Sequence, residues 1–341
     1  MKQRIFYLDN ISCVLILHMI YTYHIANSCG GFKPTVIAFI STTLSFFMSW
    51  FFFKGGMMHK DTSTKLIFQR SARRLLVPFV LFLLLGLLLD GWIQSTKSID
   101  FNVVSFIKGE IITFLTQSIL WPTGASWFLL SLFVARIGFN VLHKRIHPII
   151  ITIVFVCIAY AIYIMNCHGW EFSVLIPGHN SHLDIPTFYM GNMCHGLAVY
   201  SLGYYLKEKQ FDRIIIVIAL ALFVLKYFIP SEIDFRANNP SGTNFMLSVL
   251  YGMSGCVVIN NIFKRICNKR FPVVTYIGCN SMVYYLVHYP VMCVTISLFW
   301  EPFADKELWY KFLVLSIIVT IFLIIAEYVF RIKKMRFIIG G

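Results

Sequence analysis

The chain has 341 residues, of which 58% are hydrophobic and only 13% are charged. A soluble domain of this length could not bury so much apolar surface, so the composition excludes a soluble protein and indicates a membrane protein built of spanning helices. The formal net charge of +14 does not indicate a nucleic-acid partner, because the basic residues occur in short clusters between hydrophobic runs.

Ten apolar segments, taken in chain order, predict ten transmembrane helices. They lie at 9–28, 35–53, 75–94, 126–142, 147–166, 191–206, 213–229, 243–263, 272–298 and 310–331. The apolar segment 106–121 is interrupted by polar residues, and we interpret it as a re-entrant or interfacial helix. As an eleventh span it would reverse the orientation of every later helix. We therefore expect an all-α, polytopic membrane helix bundle that forms a single domain over residues 1–341.

The basic residues predict the orientation of this bundle. If the N-terminus is cytoplasmic, the inner loops hold clusters of Lys and Arg, such as those within 54–74 and 264–270. The outer loops then hold mostly single basic residues and most of the acidic ones. This positive-inside pattern predicts that the N- and C-termini are both cytoplasmic.

The first predicted span carries two histidines. On a straight helix His24 lies about 22 Å beyond Asp9, in the outer half of the span. Imidazole titrates near neutral pH, so His24 is a candidate general base. A histidine hydrogen-bonded to a neighbouring helix is the structural alternative. His18 is six residues earlier and roughly 120° away around the helix, so at most one of the two is expected to be catalytic.

Three arginines precede the third predicted span, in "FQRSARRLLVPF" (68–79). Helical spacing places Arg70 and Arg73 on one face, with Arg74 beside them. Guanidinium groups bind phosphates in a bidentate manner, so the cluster is a candidate anion site. A topological anchor is the alternative.

Candidate substrate contacts come from two later spans. Trp127 begins the fourth span and is either an interfacial aromatic residue or a substrate contact. Asn280, Ser281 and His288 lie in an aromatic span. Ser281 and His288 share a helix face but are about 10 Å apart along it, too far for a nucleophilic pair. Hydrogen bonds between helices are the structural alternative for these residues.

Little in the sequence indicates a metal. The nine cysteines contain no CxxC pair. The pair His179 and His182, in the loop 167–186, has a spacing that could bind a metal but is a weak signal. We therefore expect no metal.

Six segments in order resemble the acyltransferase family 3 membrane proteins, bacterial enzymes that acylate surface polysaccharides and related glycans. The segments are "RIFYLDNISCVLIL", "SFFMSWFFFKGG", "RSARRLLVPF", "SWFLLSLF", "YMGNMCHGLAVYSLGYYLK" and "NSMVYYLVHYPV". The resemblance covers most of the chain. It implies ten core helices in the bacterial cytoplasmic membrane, and transfer of an acyl group from cytoplasmic acyl-CoA to a glycan hydroxyl on the outer side.

The resemblance also implies roles for individual residues. His24 is the counterpart of an essential first-span histidine, and Arg70 and Arg73 match an arginine pair that handles the CoA phosphates, with Arg74 adjacent. The family commonly has a basic residue and a histidine where this chain has Ser12 and Tyr23, so His24 comes one residue late. A local bulge in the helix would correct its direction, since one residue turns a helix by about 100°.

The sequence thus predicts a membrane O-acyltransferase that uses acyl-CoA, with acetyl-CoA as the expected donor. The expected acceptor is a hydroxyl of a cell-envelope polysaccharide or its lipid-linked precursor. Expected partners are acyl-CoA, this glycan and membrane lipids, and no nucleic acid. The alternative is a transporter or flippase of glycan intermediates, although no inverted repeat is evident. A scaffold without chemistry is a third reading.

Overall fold

A computed structural model provides the structure of the protein. It describes residues 5–97, 101–117, 123–168, 172–175, 182–185, 188–234, 239–242, 244–303, 305–332 and 335–339. The described chain is predominantly helical, which confirms the predicted helical bundle.

The first half of the bundle contains helices joined in two places by wider π-helical turns. The helices are α1 (Phe6–Leu17), α2 (Ala26–Ser28), α3 (Thr35–Thr43), α4 (Phe47–Met57), α5 (Thr64–Ser71), α6 (Val77–Lys97) and α7 (Val103–Gln117). The π-helical turn His18–Ile25 joins α1 to α2, and the π-helical turn Ala72–Leu76 joins α5 to α6.

The second half consists of longer helices. They are α8 (Trp127–Leu142), α9 (Pro148–Cys167), α10 (Phe188–Tyr205), α11 (Arg213–Leu225), α12 (Phe245–Ile266), α13 (Pro272–Cys279), α14 (Ser281–Phe299) and α15 (Leu308–Arg331). Short 3₁₀ turns occur at Gly124–Ser126, Lys209–Phe211, Glu301–Phe303 and Arg336–Ile339.

Two antiparallel hairpins interrupt the loops after α9 and α11. Strand β1 (Phe172–Leu175) pairs with β2 (His182–Ile185), and β3 (Ser231–Asp234) pairs with β4 (Asn239–Gly242). The sequence analysis predicted no strands. Four-residue strands have too short an alternation to be recognised from sequence.

In the described part of the chain, seven helical segments are long and apolar enough to cross a membrane. They are Thr35–Met57, Thr64–Lys97, Gly124–Leu142, Pro148–Cys167, Phe245–Ile266, Ser281–Phe299 and Leu308–Arg331. Each overlaps a predicted span, and together they indicate a multi-pass membrane protein. The predicted spans 9–28, 191–206 and 213–229 are helical but are not among the seven. Ten spans and the cytoplasmic termini therefore stay predictions.

Two further predictions fall partly outside the described residues. The segment 106–121, interpreted as re-entrant or interfacial, is helical as far as the end of α7, and α7 is not among the seven long apolar helices. Residues 118–121 lie outside the described chain. Of the weak metal pair, His179 also lies outside it, and only the backbone of His182 is described, in β2.

The burial of the long helices shows which of them form the centre of the bundle. In the most apolar stretch of α12, 72% of the residues are buried, against 17% in α9 and in α15. The apolar side chains of α9 and α15 are largely exposed, for example Ile153 and Ile324. A helix that is apolar and exposed fits a lipid-facing position, so α12 is central while α9 and α15 are peripheral.

Glycines let α4 and α10 cross at backbone contact. A Cβ atom on Gly56 would collide with the backbone oxygen of Tyr200, and one on Gly203 would collide with that of Phe53. Small residues at such crossings allow helices in a membrane to pack closely. The crossing holds Tyr200 beside the residues that follow α4.

Replacing Gly203 by alanine is expected to lower stability, because the added methyl group would push α10 away from α4. Overpacking of this kind costs about 1–3 kcal/mol. Gly109 is the matched control, since its Cβ would meet nothing within 4 Å. Gly109→Ala should not lower the melting temperature in detergent, because alanine is the better helix former. Equal melting temperatures for Gly203→Ala and the wild type would contradict the close crossing.

Candidate active site

The π-helical turn His18–Ile25 brings His24 into contact with His288 of α14. Nδ1 of His24 lies 2.8 Å from Nε2 of His288. The two rings are nearly parallel, with an interplanar angle of 22° and centroids 4.9 Å apart. A π-helical turn accommodates one extra residue relative to an α-helix. The π-helical turn thus supplies the kind of bulge that would redirect His24, the histidine that comes one residue late.

A backbone carbonyl determines which nitrogen of each histidine is protonated. Nδ1 of His288 lies 3.0 Å from the backbone oxygen of Tyr284, and a carbonyl only accepts, so this nitrogen carries hydrogen. Nε2 of neutral His288 then accepts a hydrogen bond from Nδ1–H of His24. Neutral His24 consequently has its lone pair on Nε2, which is the basic atom of the pair.

His288 is a positioning residue for His24 in this arrangement. Its side chain is 0% exposed, and it is not among the residues that line the two cavities described below. The geometry therefore does not favour the predicted substrate contact for His288. The sequence analysis missed the pair because the two histidines are 264 positions apart.

His24 lines a cavity of about 270 Å³, which we call the histidine cavity. Trp127, buried at the start of α8, also lines it, and this placement is compatible with its predicted substrate contact. Besides Trp127, the lining residues with polar side-chain groups are His18, Tyr23, His24, Lys33, Ser41, Ser45, Asp234, Tyr285 and Tyr289. His18 was expected on a different face from His24, yet both line the cavity. Hydroxyl, ammonium and carboxylate groups are suited to a polyhydroxylated ligand.

A larger cavity of about 620 Å³ lies at the end of the bundle that holds the arginines; we call it the arginine cavity. Its lining includes five basic residues: Lys54, Lys60, Arg70, Arg74 and Arg136. None of the described residues that line it is acidic. Apolar and aromatic side chains from α1, α4 and α8 form much of its wall. An apolar cavity with concentrated positive charge favours an anionic ligand with an apolar part.

The arginine cavity contains only part of the predicted cluster. Arg70 and Arg74 line it, whereas Arg73 is not among its lining residues. The π-helical turn Ala72–Leu76 widens the helix between these positions, so regular helical spacing does not apply. Pro78 follows this turn and cannot donate the hydrogen bond of a regular helix.

Arg136 is a member of the arginine cavity that the sequence analysis missed. It lies within α8, inside an apolar span, and its Nε is buried with no hydrogen-bond partner among the described residues. An arginine inside a membrane helix is by default a candidate functional residue, so its position in the sequence was the available signal.

Tyr285 lines both cavities and so lies between them. Its hydroxyl donates a hydrogen bond to the backbone oxygen of Ala125, and its ring lies 5.4 Å from that of Phe128. Ala125 faces the histidine cavity and Phe128 faces the arginine cavity. A ligand that extends from the arginines towards His24 would therefore pass the rings of Tyr285 and Phe128.

The predicted residues Asn280 and Ser281 line the arginine cavity rather than the histidine cavity. Asn280 lies between α13 and α14, and its amide donates to the backbone oxygen of Tyr276 at 3.1 Å. Their position is compatible with contact to a ligand at the arginines and not with a role beside His24.

A cation lies next to Ser12, where the resemblance implies a basic residue. Nζ of Lys54 donates to Oγ of Ser12 at 2.6 Å and lies 3.5 Å from the backbone oxygen of Leu8. Lys54 belongs to α4 and also lines the arginine cavity. The positive charge at this place therefore comes from α4 instead of α1.

The structure thus combines a helical membrane bundle, a partly buried histidine pair and a cavity lined by five basic residues. The family model described as an acyltransferase domain matches residues 5–330, nearly the whole chain. The protein therefore belongs to acyltransferase family 3, as the resemblance indicated. No curated protein and no solved structure matches the chain.

Proposed function

We propose that this acyltransferase moves an acetyl group from cytoplasmic acetyl-CoA to a hydroxyl of a cell-envelope glycan or its lipid-linked precursor. The proposed location is the bacterial cytoplasmic membrane. The observation that carries the proposal is that Tyr285 lines two neighbouring cavities, one cationic and one lined by His24.

The arginine cavity suits the donor. Acetyl-CoA is an anion with several phosphate charges at one end and a thioester at the end of a long, less polar arm. Arg70, Arg74 and Arg136 supply guanidinium groups, which match phosphate geometry. The apolar wall formed by residues such as Leu75 and Phe128 fits the arm. The thioester would then lie beside Tyr285, between the two cavities.

The histidine cavity suits the acceptor. A sugar hydroxyl there would lie near His24, whose Nε2 takes the proton as the oxygen attacks the thioester carbonyl. The acyl carbon–sulfur bond breaks, the ester forms, and the departing CoA thiolate receives the proton from His24. His288 accepts from Nδ1–H of His24 throughout and keeps Nε2 directed at the reaction. No covalent acyl-enzyme is needed.

The sidedness follows from the positive-inside pattern of the sequence. The arginine cavity opens at the end of the bundle with the basic loops, which we assign to the cytoplasm, where acyl-CoA is found. The histidine cavity lies towards the other end.

A vesicle experiment tests the function and its sidedness together. Radiolabelled acetyl-CoA, which does not cross membranes, is added to inside-out and right-side-out vesicles from cells that produce the protein. We expect alkali-labile label in the glycan fraction only with inside-out vesicles. Vesicles from cells without the protein are the control. The absence of protein-dependent label, or equal label from both faces, would contradict the proposal.

A further inference from the structure

A cluster of two histidines and a carboxylate lies outside the proposed active site, where α4 ends against α8 and α10. Nε2 of His143 lies 3.0 Å from Oδ1 of Asp61, and Nε2 of His59 lies 3.9 Å from the same oxygen. The three ligand atoms all lie within 4.8 Å of one another. His59 and Asp61 follow α4, and His143 follows α8.

The protonation of His143 points to a cation in this cluster. Its Nδ1 lies 2.8 Å from the backbone oxygen of Phe139, so Nδ1 carries hydrogen. In neutral His143 the lone pair of Nε2 would therefore face the negative oxygen of Asp61 at 3.0 Å, which is repulsive. A metal ion bound by both atoms would remove this repulsion.

His59 favours the metal ion. Its side chain is buried and faces the cluster, and Nε2 makes no hydrogen bond of normal geometry with the described residues, although Asn140 lies nearby. A buried nitrogen without a partner is costly. Neutral imidazole is the form that binds metals.

The surroundings supply the outer contacts that metal ligands usually have. Nδ1 of His59 lies 2.9 Å from the hydroxyl of Tyr200, and Nδ1 of His143 donates to the carbonyl of Phe139. The hydroxyl of Tyr204 donates to Oδ2 of Asp61 at 3.0 Å. Such contacts orient the ligands and fix the nitrogen that faces the metal.

We propose that His59 Nε2, Asp61 Oδ1 and His143 Nε2 bind one divalent transition-metal ion, with zinc as the best match. Two imidazoles and a carboxylate suit zinc and not the oxygen-preferring magnesium or calcium. Tetrahedral zinc at about 2.0–2.1 Å from each ligand separates the ligand atoms by about 3.3 Å. The observed 3.0 and 3.9 Å need only small side-chain shifts.

The site would hold the chain that follows α4 against α8. Residues 59–63 are not helical, and their side chains alternate between two sides. His59 and Asp61 face the metal cluster, while Lys60 and Thr62 line the arginine cavity. Metal binding would therefore fix Lys60 beside the arginines. An effect of the metal ion on acetyl-CoA affinity rests on the proposed function. The binding of the metal ion does not.

The test uses the full-length protein in detergent, without a histidine tag and stripped with a chelator. Zinc chloride is titrated against a zinc-sensitive dye at pH 7.5, and cobalt chloride is added separately to record its visible absorption. We expect one zinc per chain, a higher melting temperature with zinc, and the intense absorption of tetrahedral cobalt. Magnesium chloride should have no effect.

Variants separate this site from adventitious binding. His59→Ala and His143→Ala should weaken zinc binding by more than about 100-fold, beyond the loss of an outer contact. Asp61→Asn, at a mostly exposed side chain, is the variant least expected to disturb folding. His168→Ala, at an exposed histidine after α9, is the matched control.

Zinc binding that is equal in the wild type and in Asp61→Asn would overturn the proposal. An absence of binding to the folded wild type would also overturn it and would leave the Asp61–His143 ion pair as the explanation. If zinc binds but acetyl-CoA affinity is the same with and without it, the metal site stands and only its link to the arginine cavity fails.

Discussion

Replacing His24 by alanine is expected to lower acyl transfer by about 10²- to 10⁴-fold, the usual contribution of a general base. Acetyl-CoA affinity should stay within about twofold of the wild type, because His24 does not line the arginine cavity. The measurements are transfer of label to the glycan fraction and calorimetric titration of acetyl-CoA. Retention of full transfer by His24→Ala would exclude His24 as the base.

Variants of His288 test whether this residue positions His24 for proton transfer. His288→Gln can accept from His24 and donate to the Tyr284 carbonyl, so it should keep part of the activity. His288→Ala can do neither and should lose most of it. The pH dependence of transfer should also change in both variants, because the hydrogen bond to His24 influences how readily His24 takes up a proton. A purely structural role for His288 would leave the pH dependence unchanged in every variant that folds.

The double substitution Arg70→Gln and Arg74→Gln is expected to weaken acetyl-CoA binding severely. A hydrogen bond to a charged group contributes about 1.5–3 kcal/mol. Since both side chains are exposed to water, we expect the lower part of this range, roughly tenfold in Kd for each arginine. The measurement is calorimetric titration with acetyl-CoA at low salt.

Arg73→Gln is the matched control for this experiment. It removes the same charge from the same cluster, yet Arg73 does not line the arginine cavity. We expect a change in Kd of less than about twofold. Added salt should weaken binding by the wild type more than by the double variant, because salt screens the attraction between the arginines and the phosphates. If the single variants Arg73→Gln and Arg70→Gln weaken acetyl-CoA binding equally, the arginines provide general electrostatic attraction and not a defined phosphate site.

The long apolar segments were predictable from sequence because a membrane requires uninterrupted helices of a fixed length. All seven long apolar helices overlap predicted spans. Two of the three predicted spans outside these seven, 9–28 and 213–229, differ for physical reasons. Helix α11 has only 13 residues, and the first predicted span changes from α-helix to π-helix at His18. Hydrophobicity does not distinguish these two kinds of helix, and it does not reveal four-residue hairpins.

Individual residues of the candidate site could be predicted from the sequence. Contacts between residues on distant helices could not, because they depend on how the bundle packs. His24, Arg70 and Arg74 stood out because charged and imidazole side chains are rare in membrane helices. The contact of His24 with His288 and that of Lys54 with Ser12 join distant helices, so only the packed bundle shows them. Arg73 was assigned to the anion site because helical spacing was assumed across a segment that is π-helical.

The widened turn of the first helix also suggests how this chain could tolerate a change in length. Because a π-helical turn contains one residue more than an α-helix needs, removing one residue between His18 and His24 would give a regular α-helix. The imidazole would then occupy position 23 and could present the same ring to α14. A one-residue deletion at this point would therefore leave the histidine pair nearly unchanged, whereas the same deletion two turns earlier would rotate the whole packed face of α1.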